Sequence, residues 1–600
     1  MTNNPRKKSI TPYLFISPGI IILLIGFFIP IIMLFSLSFF KHVPGSGLID
    51  RTLTIENYTR FADTYYLKVL LVTFRIALGT TLLSLLLGFP MALMINKARG
   101  VAKTILLVVI LTPLLTNVVA RTLGLMIVLG RHGPINQLLA FLDVPKFNFI
   151  PSELGIIIGL AQVFMPYMIL SINSVLSNID FSLQEAARDL GSSAMEAFWK
   201  VIFPLSIPGI IAGSLFVFLL SFSSYVTPRL LGGGQIMVMT MLIYQQATAL
   251  LNWPFAAAAA FILLIFTIII VTAYTKIAAS GDLRQDDAKQ SRSEFGSKLS
   301  HFKQIFNEFL YSISAAMSRK IRKLTLLKKI TLPIAKFFGL LQPFLSKLLI
   351  ILIIIFIILP LPLVILSSFS SSSMITFPPS GYSTKWYTGL LDRPEYIRSF
   401  LLSVRLASIS TVVALITGTL ASLGLSRYNF PGREFIRSIF LSPLMLPAVI
   451  VGIALLRFLV EIRQTVSFQG LLLAHLVLTT AYVVRTVSSS LVGFDNSLHE
   501  AARDLGASAF HTFRTITLPL IKPGLIVAGI FAFITSFDET TVSIFITGGR
   551  TITLPVRIFS QLEYGLDPTV TAISSLLIVM ALIAISIIGK VFGLEKFSIR

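Results

Sequence analysis

Residues 185–209 read EAARDLGSSAMEAFWKVIFPLSIPG, and residues 500–524 read EAARDLGASAFHTFRTITLPLIKPG. The two segments are offset by 315 positions and agree at fourteen of 25 residues. Background residue frequencies would give about one or two identities over this length, so the chain contains a duplication. Because repeated units build whole architectures, this pair of segments determines how the rest of the sequence is divided.

The duplication covers most of the chain. Downstream of the quoted segments, Ser221-Phe222 aligns with Ser536-Phe537 at the same offset. Upstream the offset becomes 330, with Thr112-Pro113-Leu114 opposite Ser442-Pro443-Leu444. The first copy therefore carries about fifteen extra residues in one loop, around residues 131–152.

The composition indicates a membrane protein. The 600 residues are 55% hydrophobic and 12% charged, with a mean hydropathy of +0.87, which is too apolar for a water-soluble chain. A spanning helix needs about 20 mostly apolar residues. We therefore predict an all-α polytopic membrane protein with two homologous six-helix halves. The twelve predicted spans lie near 13–40, 68–96, 103–129, 154–178, 204–228, 255–278, 344–370, 398–426, 434–460, 468–492, 520–546 and 570–593.

The positive charge lies between the predicted spans. A net charge of +23 would suggest nucleic-acid binding in a soluble chain. Here all of the Lys and Arg clusters fall on one side of the predicted topology, which is typical of cytoplasmic loops. We expect both termini and the central linker to be cytoplasmic, and no nucleic-acid partner is needed. The clusters are at 6–8, 97–103, 281–347, 427–437 and 590–600.

These patterns predict a first half at 1–278, a basic cytoplasmic linker at 279–343 and a second half at 344–600. Two six-helix halves form a parallel repeat, so a pseudo-two-fold axis should run along the membrane normal with a pathway between the halves. The linker has two interpretations. It is either an interfacial helix lying on anionic lipid or a solvated tether that joins two ancestral subunits.

The quoted segments predict a mechanical element. Glu185 to Leu190 form helix strongly, Gly191 permits a sharp turn or a close approach by another backbone, and Pro204 stands where a span would begin. A short surface helix joined to a membrane helix can convert a push from a soluble partner into tilting of the span. The chain lacks a G-x-x-x-x-G-K-[ST] phosphate loop, so ATP would be held by that partner.

The sequence here resembles the inner-membrane permeases of bacterial ABC importers, whose cytoplasmic signature is EAA, three residues, G, then I-x-L-P. The first copy departs mildly, with Val201 and Phe203 where Ile and Leu are usual. The resemblance implies that loops 180–203 and 495–518 dock on two cytoplasmic ATPase subunits, and that a periplasmic or extracellular binding protein delivers a small solute. It also implies a multi-pass location in the bacterial plasma membrane, in contact with lipid. The implied coupling residues are Glu185, Ala186, Ala187, Asp189, Gly191, Pro204, Glu500, Ala501, Ala502, Asp504, Gly506 and Pro519.

Other segments narrow the resemblance. Residues 227–234 and 242–246 look like one permease of the spermidine/putrescine importers, and residues 536–539, 546–548 and 553–556 resemble the second permease of that group. The resemblance therefore implies a polyamine-like substrate. Because the same group contains importers of ferric iron, phosphonates, thiamine and opines, those substrates stay open as alternatives.

Asp538 and Glu539 are candidate pathway residues. They stand eighteen and nineteen positions into a predicted span, where ionisable groups are costly and commonly line a functional cavity. The counterparts in the first half are Ser223 and Ser224, followed by Tyr225, and we add these three residues to the predicted pathway. The alternative is that the acids lie at the outer water interface, because eighteen helical residues rise about 27 Å.

Two other classes of protein fit the sequence less well. An ion-coupled secondary transporter would also have twelve spans in two halves, but it has no need of duplicated docking loops. A membrane enzyme is disfavoured, since the six His are scattered, as at His42, His132 and His475, without a paired ligand cluster. There is no cysteine to form a disulfide or a thiol ligand. We therefore expect no catalytic residue, no metal and no cofactor.

Overall fold

The computed structural model describes residues 11–43, 49–279, 344–492, 501–502, 504–565 and 567–592. These residues are nearly all helical, so the all-α prediction is confirmed. The predicted linker, apart from Ala279, lies outside the described residues, as does Glu500.

The first half contains one small hairpin and twelve helices among its described residues. The strands are β1 (Phe40–His42) and β2 (Ile49–Leu53), which pair antiparallel. The helices are α1 (Thr11–Leu37), α2 (Glu56–Arg60), α3 (Thr64–Lys97), α4 (Gly100–Leu114), α5 (Val118–Leu129), α6 (Pro134–Phe141), α7 (Glu153–Leu176), α8 (Ser182–Asp189), α9 (Ala194–Phe222), α10 (Val226–Leu231), α11 (Met239–Thr248) and α12 (Trp253–Ala279).

The described helices of the second half follow a similar order, without a counterpart of α6. These helices are α13 (Phe344–Ile358), α14 (Pro360–Ser368), α15 (Lys385–Leu391), α16 (Pro394–Arg427), α17 (Arg433–Leu444), α18 (Ala448–Glu461), α19 (Phe468–Val492), α20 (Phe510–Asp538), α21 (Ser543–Ile546), α22 (Leu554–Tyr564) and α23 (Pro568–Phe592).

Three predicted spans are bent pairs of helices rather than single rods. In the part of the chain that the structure describes, nine helices are long and apolar enough to cross a membrane, and three bent pairs raise the number to twelve. The bends are 100° between α4 and α5, 94° between α17 and α18, and 47° between α13 and α14. The residues at the breaks favour the start of a new helix: Asn117 caps α5, Pro447 precedes α18 and Pro360 is the first residue of α14.

Repeated contacts show that the duplicated sequence folds twice in the same way. In the first half, the Met239 backbone N–H donates to Thr73 Oγ1 at 2.9 Å and fastens the start of α11 to α3. In the second half, the Leu554 N–H donates to Ser403 Oγ at 2.8 Å and fastens α22 to α16 in the same manner. The residues that match in sequence therefore also match in contact.

The two halves interlock through their first spans. Helix α1 packs against α16 and α18 of the second half, and α14 packs against α5 of the first half. A Cβ at Gly124 would come within 2.4 Å of the Pro360 carbonyl oxygen, so the absence of a side chain allows this approach. Gln162 Nε2 also donates to the Ile357 carbonyl at 2.8 Å across the boundary. One buried apolar core contains side chains from both halves.

The fifth span of each half also ends earlier than the hydropathy indicates. We expected continuous helices over 204–228 and 520–546, but α9 ends at Phe222 and α20 ends at Asp538. A short break follows, and then the short helices α10 and α21. The candidate acids therefore stand at a helix end beside a break, not inside a continuous helix.

Candidate coupling loops and inter-half pathway

The first predicted coupling loop is an exposed helix that ends in a tight turn. Helix α8 has no buried residue. Gly191 follows it with φ +89°, a backbone conformation that favours glycine, and the Ser192 N–H donates to the Ala187 carbonyl at 3.1 Å. The Leu190 side chain at this turn is 89% exposed. Glu185, Ala186 and Asp189 all lie on α8, so the sequence-predicted residues share one short surface element.

Hydrogen bonding also orders the start of this helix. The Asp180 carboxylate accepts a hydrogen bond from the Ser182 backbone N–H at 2.9 Å. This bond and one from the Ser182 side chain lower the pKa of the Asp180 carboxyl, which therefore stays ionised. A carboxylate at the entry to α8 favours the helix, because it complements the unpaired N–H groups of the first turn.

The second predicted coupling loop has the same turn. Ala501, Ala502 and Asp504 are described as helical. Gly506 has φ +83°, and the Ala507 N–H donates to the Ala502 carbonyl at 3.0 Å. Leu505 is 88% exposed, matching Leu190. Nothing lies within 4 Å of a Cβ built at either glycine, so these glycines serve the turn and do not admit another part of the described chain.

Each coupling loop continues directly into a membrane helix. Ser193 Oγ accepts from the Glu196 N–H and Ser508 Oγ accepts from the His511 N–H, both at 3.2 Å, and these bonds cap α9 and α20. Both helices then pass through a π-helical turn, at 198–202 and at 513–517. Pro204 and Pro519 follow directly, as the second residues of the α-helical segments Phe203–Phe222 and Leu518–Asp538, where the sequence predicts that each span begins. The widened turn accommodates a proline that cannot donate to the helix ladder.

Asp538 meets the other half of the chain at a helix break. Asp538 Oδ1 accepts hydrogen bonds from the Val118 backbone N–H at 3.2 Å and from Asn117 Nδ2. Asn117 Oδ1 in turn accepts from Val119 N at 2.9 Å, so it caps α5 while its amide holds Asp538. The carboxylate therefore lies at the N-terminus of α5, where the helix dipole favours negative charge.

The Glu539 side chain contacts the backbone of the break that follows α20. Its carboxylate accepts a hydrogen bond from the Val542 backbone N–H, within the connection between α20 and α21. Both acids are half-buried. They share one position in the fold but have different partners, since Asp538 contacts the opposite half and Glu539 contacts its own.

The first-half counterparts occupy the equivalent break with different contacts. Ser223 Oγ donates to the Leu219 carbonyl at 2.7 Å within its own helix, and the Ser224 carbonyl accepts from Thr240 Oγ1 at 2.7 Å. Tyr225 is 1% exposed. Its ring lies 5.8 Å from Phe559 of the second half, centroid to centroid. Of the three, Tyr225 is the residue that reaches the inter-half boundary.

Several residues of this region were not predicted. Arg121 is buried in the first turn and a half of α5, and its Nε and Nη1 find no hydrogen-bond partner among the described residues. Arg229 Nε donates to Glu563 Oε1 at 2.7 Å, which makes an ion pair between the halves. A charged residue inside an apolar run is a signal that could have identified Arg121. Within the described ranges, no group of three or more His, Asp or Glu could hold a metal ion.

Comparison with known proteins assigns the fold to a family. The family model described as "Binding-protein-dependent transport system inner membrane component" matches residues 84–279 and again residues 411–593. The two matches together cover more than half of the chain and fall one in each half.

Two relatives are spermidine/putrescine transport system permease proteins of Escherichia coli (strain K12). PotB is 36% identical over 235 residues, which is 38% of this chain and 84% of the relative. PotC is 34% identical over 224 residues, which is 37% of this chain and 84% of the relative. A crystal structure of a bacterial ABC transporter involved in import of alginate has a chain that aligns with a TM-score of 0.36 and 17% identity, over 43% of this chain and 97% of that one.

The matching family occurs twice, the relatives are permeases, and the chain itself supplies two six-helix halves. The resemblance inferred from the EAA segments is thus confirmed. The chain belongs to the family of binding-protein-dependent transport system inner membrane components, and it is a transport permease of an ABC importer rather than an enzyme.

Proposed function

We propose that this permease carries a small cationic solute of the polyamine class, and that one fused chain replaces the two permease subunits of an importer. The observation that carries the substrate class is the acidic pair Asp538 and Glu539 at the break next to the inter-half contact. Two relatives whose names specify spermidine and putrescine support the same class.

The carboxylates of Asp538 and Glu539 can stabilise a cation that loses its hydration in the membrane. An unpaired charge at the centre of a membrane costs about 2.5 to 3.5 kcal/mol on insertion scales, so a polyammonium ion needs carboxylates along its route. Asp538 lies near the start of α5, and the preceding helix α4 has fifteen residues and spans about 22 Å. This length supports a position well away from the cytoplasmic surface.

The coupling loops suit two separate ATPase subunits. Each loop presents an almost fully exposed leucine, Leu190 or Leu505, beside a glycine turn, and each continues into a membrane helix. An apolar side chain held in water on a rigid turn can fill a groove on a soluble partner. In this proposal the sequence-predicted coupling residues dock on the ATPase subunits, with Glu500 assigned by the repeat alone.

The topology follows from the same assignment. In this proposal the coupling loops face the cytoplasm, and both termini are assigned to the same side because the Lys and Arg clusters fall there in the predicted topology. The solute-binding protein then docks on the opposite face, to which α9 and α20 run from the coupling loops.

Identification of the transported solute tests the proposal. The binding protein that co-purifies with this permease and its ATPase is isolated without added substrate, and its retained ligand is identified by mass spectrometry. We expect a di- or polyamine. A retained ferric ion, phosphonate, thiamine or opine would reject the polyamine class while leaving the family unaffected.

A further inference from the structure

His475 makes two hydrogen bonds in the interior of the second half. It lies on α19 and is 1% exposed. Its Nδ1 lies 2.7 Å from Ser536 Oγ, and its Nε2 lies 3.1 Å from Ser543 Oγ. Both ring nitrogens are therefore satisfied, which is the arrangement that makes burial of a neutral imidazole tolerable.

The two serines lie on opposite sides of the break that carries the acids. Ser536 is two residues before Asp538, at the end of α20, and Ser543 is the first residue of α21. The imidazole therefore bridges the ends of two helices that the break separates. Ser410 Oγ on α16 lies 2.9 Å from Ser536 Oγ and adds a third helix to the same chain of hydrogen bonds.

The first half holds its own break differently. The residue that matches His475 at the 315 offset is Leu160, which offers no hydrogen bond. Instead, Thr240 Oγ1 donates to the Ser224 carbonyl at 2.7 Å, and the residue that matches Thr240 is Pro555. In the second half the His475 side chain makes a polar tie across the break, whereas in the first half Thr240 of α11 holds a backbone carbonyl inside the break. Only the second half combines this tie with adjacent acids.

We propose that His475 is a positioning residue for transport, which holds the ends of α20 and α21 together so that Asp538 and Glu539 keep a fixed orientation toward the inter-half contact. This inference rests on the proposed pathway role of the two acids. A leucine at this position satisfies the packing of the first half, so packing alone does not require histidine. The two hydrogen bonds to either side of the break are what histidine adds.

The positioning role of His475 is tested by thiol labelling in the full importer complex. Because the chain has no cysteine, Thr541→Cys places one thiol in the break, and its rate of reaction with a small methanethiosulfonate reagent reports how often the break opens. Loss of buried hydrogen bonds should favour opening by about tenfold, so His475→Leu should label about tenfold faster. Ser543→Ala, which removes one end of the bridge, should label faster by a smaller factor, and His475→Gln should label at a rate between those of His475→Leu and the Thr541→Cys parent.

Thr480→Val is the matched control. Thr480 is buried on the same helix, and its hydroxyl has no hydrogen-bond partner among the residues described. Labelling should therefore stay at the rate of the chain that carries only Thr541→Cys. The second readout is spermidine uptake per ATP hydrolysed in reconstituted vesicles, which should fall in His475→Leu and Ser543→Ala but not in Thr480→Val.

Labelling of both His475→Leu and Ser543→Ala at the rate of the Thr541→Cys parent would overturn the inference, as would faster labelling with unchanged uptake per ATP. Labelling needs no substrate. A parent chain that fails to take up spermidine would therefore reject the proposed substrate, while the labelling rates would still decide whether His475 holds the break.

Discussion

The Val118 backbone N–H donates to Asp538 Oδ1 at 3.2 Å, although the two residues belong to different halves of the chain. The bond joins the break in a bent span of the first half to the end of a span in the second. A carboxylate that caps a helix from across the boundary is well placed to respond when the halves separate.

Neutralising the acids should weaken uptake. Asp538→Asn and Glu539→Gln keep the size of each side chain but remove the charge that would replace hydration of a cation. We expect uptake by reconstituted vesicles to fall by roughly tenfold or more, with hydrolysis still stimulated by the loaded binding protein. Asn117→Ser is the control, because serine can still cap α5 but loses the amide donor to Asp538, and it should have the smaller effect. Unchanged uptake in the double variant would remove both acids from the pathway.

The glycine turns should be essential for coupling. Gly191→Glu and Gly506→Glu place a bulky charge at φ +89° and +83°, which disturbs the turn and its docking surface. We expect uptake to be lost while membrane insertion is retained, as measured by quantitative blotting of membranes. Gly191→Asn is the control, since asparagine tolerates this backbone region and should retain a large part of the activity. Transport at the wild-type rate by either glutamate variant would show that the loop of that half does not dock.

The exposed leucines separate docking from turn geometry. Leu190→Asp and Leu505→Asp leave the glycines in place and replace an apolar side chain that is 89% or 88% exposed. Such exposed substitutions usually change folding stability by less than about 0.5 kcal/mol, so a loss of activity would reflect docking. We expect weaker co-purification of the ATPase and a lower rate of stimulated hydrolysis. Normal ATPase binding by the double variant would contradict the assigned surface.

The ion pair between Arg229 and Glu563 should hold the halves together on the face away from the coupling loops. A pair with side chains 33% and 24% exposed contributes about 1 kcal/mol, or roughly fivefold in a conformational equilibrium. Arg229→Ala should therefore raise hydrolysis in the absence of binding protein by about that factor. The charge exchange Arg229→Glu with Glu563→Arg should return hydrolysis toward the wild-type rate. Equal rates in all variants would show that the pair has no role in gating.

Separate halves should still assemble. Helix α1 packs on the second half and α14 packs on the first, so the contacts between halves do not depend on the linker sequence. Expression of residues 1–290 and 340–600 as two chains should restore uptake in cells. Complete loss of uptake, with both pieces at normal levels in the membrane, would mean that the linker itself takes part in transport.

Hydropathy and the internal repeat predicted the number of spans, the two halves and the coupling loops, because these features depend on local composition and on self-similarity. The bend at Asn117 was missed, since the apolar run continues on both sides of it and a single asparagine does not interrupt the hydropathy pattern. The partner of Asp538 was also missed, because Asn117 lies 421 residues away in sequence. No periodicity or spacing reports a contact between two halves that interlock.

His475 shows the same limit in another form. Its residue type and its place in an apolar helix are visible in the sequence, but the six scattered His indicate only that a paired ligand cluster is lacking. Its significance comes from Ser536 and Ser543, which lie on either side of a break that the sequence did not reveal. The sequence does contain one signal for His475. At the 315 offset it aligns with Leu160, so the two halves differ at this position.

The central claim is that this chain is the permease of an importer driven by ATP, and vesicle transport tests it most directly. The fused chain is reconstituted into vesicles with its ATPase subunits and loaded binding protein. Uptake of radiolabelled spermidine is measured with ATP on the side of the membrane that holds the ATPase subunits. In the matched sample, the phosphate-loop lysine of the ATPase is substituted. We predict uptake that requires both ATP and the intact ATPase and that is indifferent to collapse of ion gradients. Uptake that continues with the inactive ATPase and stops when an ion gradient is collapsed would contradict the account and identify an ion-coupled transporter.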